Sequence, residues 1–115
     1  MQSLTLPSSL KAIGDYAFYY LSELTSVTLP AGLEHIGDDA FANCSKLAQV
    51  NLGDCKGLIE IGSGAFRSCA LTVVTIPASV QTVGNYAFNF NKTLKFYCEA
   101  AEQPGGWGSD WNYCG

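Results

Sequence analysis

One short pattern, Ile-Gly, two residues, Ala-Phe, recurs along this chain and constrains its fold more than any other feature. The copies are Ile13-Gly14…Ala17-Phe18, Ile36-Gly37…Ala40-Phe41, Ile61-Gly62…Ala65-Phe66 and, with valine leading, Val83-Gly84…Ala87-Phe88. Successive glycines lie 23, 25 and 22 residues apart, the period of a small supersecondary unit that buries its apolar side only by stacking on the next copy. The chain is therefore read as a solenoid, an architecture that commonly presents extended surfaces to partners.

Working back from each glycine, the apolar positions follow Leu-x-x-Val-x-Leu-Pro-x-x-Leu-x-x-Ile-Gly. The second copy runs Leu24, Val27, Leu29-Pro30, Leu33, Ile36, and the fourth runs Leu71, Val74, Ile76-Pro77, Val80, Val83. The third runs Leu47, Val50, Leu52, Leu58, Ile61, with Gly53 in place of the proline and two additional residues near Cys55 that lengthen its step. The first enters late, at Leu4, Leu6-Pro7, Leu10, Ile13, which suggests a cut from a longer array.

Leu4-Thr5-Leu6, Val27-Thr28-Leu29, Val50-Asn51-Leu52 and Val74-Thr75-Ile76 alternate apolar and polar residues, so each reads as a strand of about three residues in a parallel sheet. Proline cannot donate to a ladder hydrogen bond and ends the strand. The recurring glycine implies either a positive φ or very close backbone approach. Asp15, Asp38, Ser63 or Asn85 follows it, all good helix N-cap types, which predicts a one- or two-turn helix there. The four phenylalanines are expected to stack as a spine, each burial contributing roughly 1.5 to 3 kcal/mol.

The string Leu24-x-x-Val27-x-Leu29-Pro30-x-x-Leu33-x-x-Ile36-Gly37-x-x-Ala40-Phe41-x-x-Cys44 resembles the BspA-like, bacterial-surface-antigen type of leucine-rich repeat, over residues 3 to about 97. The sequence departs from that pattern at Leu21 and Asn91, where the cysteine is unfilled, and at Gly53. The resemblance implies a right-handed α/β leucine-rich repeat solenoid, with a short parallel sheet on one face and short helical turns on the other. It further implies secretion or display on a microbial surface and adhesion to host or microbial proteins or glycans. It carries no catalytic residues over. The expected organisation is four repeats over residues 1–97, the first truncated, and a C-terminal cap over 98–115; a spacer segment of a larger surface protein is the alternative role.

Only 14% of the 115 residues are charged and 48% are hydrophobic, which fits a continuous core. The net charge of −4, with six scattered Lys and Arg, argues against nucleic-acid binding and attraction to anionic membranes. No apolar run approaches the ~18 residues of a membrane span. Met1-Gln2-Ser3 does not open a signal peptide, so an export signal or anchor is expected outside this stretch.

Among the five cysteines, Cys44 and Cys69 follow spine phenylalanines by three residues and read as buried free thiols. Cys55, in the insertion, is expected to be more exposed. Cys98 and Cys114 bracket the tail, and a bridge between them, one of two readings left open, would close a loop worth ~3 kcal/mol. The odd total leaves at least one thiol unpaired within a monomer. Trp107 and Trp111 read as a plug over the terminal coil, or alternatively as a platform for sugar rings. Exposed Leu4 and Leu6 at the uncapped opposite end point to preceding sequence or to self-association.

Outward strand positions supply one candidate partner surface: Thr5, Ser26, Thr28, Gln49, Asn51, Val73 and Thr75, with Lys95 extending the row. Tyr16, Tyr19, Tyr20 and Tyr86, with Phe90, supply a second on the turn side. The single His35 lacks an orienting partner for nucleophilic catalysis, and Asp38-Asp39 is not spaced for metal ligation. Neither a cofactor nor a metal site is read. Asn43-Cys44-Ser45 and Asn91-Lys92-Thr93 match the glycosylation acceptor pattern and are expected to go unused.

Overall fold

The computed structural model describes residues 2–92, 94–98 and 106–107. Its strands, in chain order, are β1 (Gln2–Thr5), β2 (Ala12–Ile13), β3 (Leu24–Thr28), β4 (His35–Ile36), β5 (Gln49–Val50), β6 (Glu60–Ile61), β7 (Val73–Ile76), β8 (Thr82–Val83), β9 (Lys95–Cys98) and β10 (Gly106–Trp107). All pairings are parallel, and each joins one repeat to the next. The expected solenoid is present.

The alternating segments form the strand side, but as two sheets rather than one. β1, β3 and β5 pair in that order, and β7 pairs with β9. The break falls at the third repeat, where Leu52–Asp54 winds into a 3₁₀ turn. Here Asn51 does not project outward as its place in the alternation predicts. Its Oδ1 accepts the Leu29 N–H at 2.6 Å and its Nδ2 donates to the Leu29 carbonyl at 3.1 Å, so an amide side chain continues the β3–β5 contact one step past the end of its backbone pairing. The insertion turns inward with it: Cys55 is fully buried, contrary to expectation, and its Sγ donates to the Pro30 carbonyl at 3.4 Å.

A second ladder, not anticipated from the sequence, runs β2-β4-β6-β8-β10. Each of the rungs β2, β4, β6 and β8 is the residue pair just before the motif glycine, with its isoleucine or valine buried. The backbones of β9 and β10 therefore add a fifth rung to both sides of the coil. The proposed Cys98–Cys114 bridge and the Trp107–Trp111 plug depend on side chains outside the described residues.

The segments after the glycines are turns, not helices; among the described residues the 3₁₀ turn is the only helical element. The second and sixth residues after each glycine are left-handed: Tyr16 and Tyr20, Asp39 and Asn43, Gly64 and Ser68, Tyr86 and Phe90, with φ between 53° and 64°. A helix needs consecutive right-handed residues so that each N–H meets its own chain four residues back. Here the N–H groups instead reach the next coil: Tyr16, Phe18 and Tyr20 donate to the carbonyls of Asp38, Ala40 and Ala42, and Asp39, Phe41 and Asn43 to those of Ser63, Ala65 and Arg67. The supposed N-caps serve the same stacking. Asp15 Oδ1 accepts the Asp38 N–H at 2.8 Å, and Asp38 Oδ1 accepts the Ser63 N–H at 2.9 Å.

Of the two roles expected for the motif glycine, close approach is the one found, at Gly37, Gly62 and Gly84 but not at Gly14. A Cβ on Gly37 would lie 2.5 Å from Asp15 Oδ1 and 2.6 Å from Asp15 N, and one on Gly62 would lie 2.5 Å from Asp38 N. Between the ladders runs the predicted spine. Phe18, Phe41, Phe66 and Phe88 stack with centroids 5.1, 5.2 and 5.5 Å apart and nearly parallel rings, within the favoured range for offset stacking. Leu6, expected to be exposed, is buried at the edge of this core, and Leu4 packs partly against it.

Candidate functional site

The strand side carries a depression of about 490 Å³ where β5 and β7 fail to pair. It brings together five of the seven strand positions singled out from the sequence: Ser26, Thr28, Gln49, Asn51 and Val73. Ser26 sits beside Gln49 in the β3–β5 register, and Thr28 beside Thr5 in the β1–β3 register. Thr28, Gln49 and Val73 are exposed, Val73 by 50%. Lys95 lies opposite Val73 and continues the row as expected.

Two predicted positions have other work. Asn51 borders the depression, but both ends of its amide are committed to Leu29. Thr75 is half-buried beneath the 3₁₀ turn, its Cβ 3.1 Å from where a Cβ on Gly53 would stand. The usable face is thus Thr5, Ser26, Thr28, Gln49 and Val73, with no charged side chain lining the depression.

On the turn side Tyr16, Tyr19 and Tyr20 gather in the first repeat, with centroids 5.3 Å apart for Tyr16 and Tyr19 and 5.8 Å for Tyr19 and Tyr20. Tyr16 donates its hydroxyl to Asp39, and that carboxylate holds the phenol above its usual pKa. The Tyr19 hydroxyl accepts from Asn43 Nδ2 at 3.2 Å. Tyr86 does not join this group; it stands with Phe90 in the fourth repeat.

The thiols at the spine are buried as expected. Cys44 Sγ donates to the Phe18 carbonyl at 3.2 Å and Cys69 Sγ to the Phe41 carbonyl at 3.1 Å. Burial first, then the Cys44 charge, pushes Cys69 up to about 12; burial first, then the Asp54 carboxylate, pushes Cys55 up to about 11. Neither is poised as a nucleophile at neutral pH. Contrary to the reading that His35 lacks an orienting partner, its Nδ1 pairs with Glu60 at 2.9 Å, exposed on the surface of the second ladder.

These stacked ladders around an aromatic spine define a solenoid class of repeat protein. Residues 1–95 match the family model described as BspA type leucine rich repeat region (6 copies), and the chain belongs to that family. A leucine-rich repeat protein from Bacteroides ovatus ATCC 8483 is similar in structure, with 25% identity and a TM-score of 0.54 over 84% of this chain and 33% of that one. A leucine rich cell surface protein from Faecalibacterium prausnitzii A2-165 aligns at 18% identity and a TM-score of 0.37, over 89% of this chain and 48% of that one. The chain thus spans about a third of the Bacteroides protein. No curated protein matches it.

Proposed function

We propose that the chain is a noncatalytic binding module of a secreted or surface-displayed protein, and that its strand side takes an extended segment of a partner protein. The observation that carries this is the uncharged depression at the break between β5 and β7. The exposed Thr28, Gln49 and Val73 supply side-chain contacts along which an incoming extended chain can lie. Membership of the BspA type supports display outside the cell and the absence of catalysis. The test is a screen of the purified chain against immobilised host-matrix and microbial surface proteins. Saturable binding supports the module; absence of binding to every protein at high micromolar concentration favours a spacer.

A further inference from the structure

On the turn side, between the third and fourth repeats, Tyr86, Phe90, Gly64 and the Asp39–Arg67 ion pair line a second cavity, of about 380 Å³. Asp39, Gly64 and Tyr86 occupy the same position, two residues after the motif glycine, in three consecutive repeats. Side chains at one position of a parallel stack form a column, one per coil. Gly64 has no side chain to give, and the Asp39 carboxylate leans into the space this leaves at the floor of the cavity. Even a Cβ there would collide with Asp39 Oδ1 and lie 3.3 Å from Arg67 Nε.

The cavity holds more aromatic surface than the fold requires. Phe90 is 72% exposed and Tyr86 50%, and both adopt left-handed backbone, with φ of 64° and 62°. Asn43 and Ser68 fill the Phe90 position in the middle repeats, and such small polar residues accept that conformation more readily than a large ring does. A phenylalanine that gains little burial at a costly φ is unexplained by folding, and such local inconsistencies concentrate at functional positions. Beside the rings, Arg67 Nη2 lies 3.2 Å from Asp39 Oδ1, so the polar part of the cavity offers donor and acceptor together with no net charge.

We infer that this cavity is a saccharide subsite, in which Phe90, beside Tyr86, packs against the apolar face of a neutral hexopyranose unit while Asp39 and Arg67 engage neighbouring hydroxyls. Exposed aromatic rings suit the axial C–H face of such a sugar, a charge-balanced pair suits a vicinal diol, and the volume lies within the range of small-ligand sites. The subsite is separate from the strand-side depression, with which it shares no lining residue.

Saturation-transfer difference NMR on the full chain, with cellobiose, maltose and lactose as probes up to about 10 mM, tests this directly. The expected result is saturable transfer to the axial ring protons of at least one disaccharide. Phe90→Ala, a surface change, should weaken that binding roughly tenfold with an unchanged urea midpoint. Gly64→Asn, which tolerates the left-handed backbone but displaces the Asp39 carboxylate, should remove it. The double variant Thr28→Arg/Gln49→Arg should leave it intact, which separates this site from the strand side. No transfer with any of the three sugars, equal transfer in Phe90→Ala, or loss in the strand-side variant would overturn the assignment.

Discussion

Asn91 donates through its side-chain amide to the carbonyl of Phe66 at 2.9 Å, which gives it the same task that the thiols of Cys44 and Cys69 perform on Phe18 and Phe41. Each spine phenylalanine but the last thus has its carbonyl capped by the side chain three residues after the next phenylalanine. Asn91 does more than a thiol can. It also donates to the Phe88 carbonyl at 2.9 Å and accepts from the Leu71 N–H at 2.9 Å. What reads in sequence as an unfilled cysteine position is a stronger version of the same device, and its committed amide nitrogen is not available to an attached glycan.

Asn91→Ala should therefore be among the most damaging single changes in the chain. It strands the buried Leu71 N–H and the Phe66 carbonyl, at about 1–3 kcal/mol for each group left unsatisfied. A loss of roughly 3 kcal/mol or more is expected by urea unfolding. Asn91→Cys should recover part of it, because a thiol can still reach the Phe66 carbonyl.

Gly62 and Gly14 share a motif position but not an environment. A Cβ on Gly62 lies 2.5 Å from backbone atoms of the preceding coil, whereas one on Gly14 meets nothing within 4 Å. Gly62→Ala should cost about 1–3 kcal/mol through overpacking. Gly14→Ala should stay within about 0.5 kcal/mol of the parent. Equal thermal midpoints for the two variants would contradict the close-approach account.

Buried thiols make stability fall at alkaline pH. Cys69 is raised from 9.0 to about 12 and Cys55 from 9.0 to about 11, so the unfolded chain releases these protons first. Above pH 9 the folded state binds more protons than the unfolded one, and its stability declines until the folded thiols ionise in turn. Below pH 9 the contribution is constant. Denaturant midpoints measured between pH 8 and about 11 should fall more steeply for the parent than for Cys69→Ala. Peptide mapping after iodoacetamide treatment at pH 8 should show Cys55 and Cys69 labelled only once the chain is unfolded.

The strand positions and the phenylalanine spine were legible because they repeat, with period two along each strand and once per coil between coils. The second ladder was not, since rungs as short as Ala12–Ile13 or Glu60–Ile61 carry no period of their own. The turns mimicked helix starts because the Asp, Ser or Asn after each glycine is an N-cap type. The contrary signal lay one residue further on, where Asp39 and Gly64 are residues that tolerate left-handed backbone, but Tyr16 and Tyr86 obscure it in the outer repeats. Asn51 and Cys55 were misplaced because the extra residues tighten Leu52–Asp54 into a 3₁₀ turn that redirects both. On the strand side the sequence located most of the depression's lining. On the turn side it named Tyr86 and Phe90 but not Arg67 or the gap at Gly64, which emerge only when same-position residues are stacked in a column.

The most direct measurement is the affinity of the parent chain and of Thr28→Arg/Gln49→Arg for whichever protein the screen identifies, by surface plasmon resonance, with urea midpoints recorded in parallel. Both residues are exposed, so stability should change by no more than about 0.5 kcal/mol. Two cations placed in an uncharged depression should weaken binding at least about tenfold. Unchanged affinity in a folded variant would contradict a strand-side binding surface.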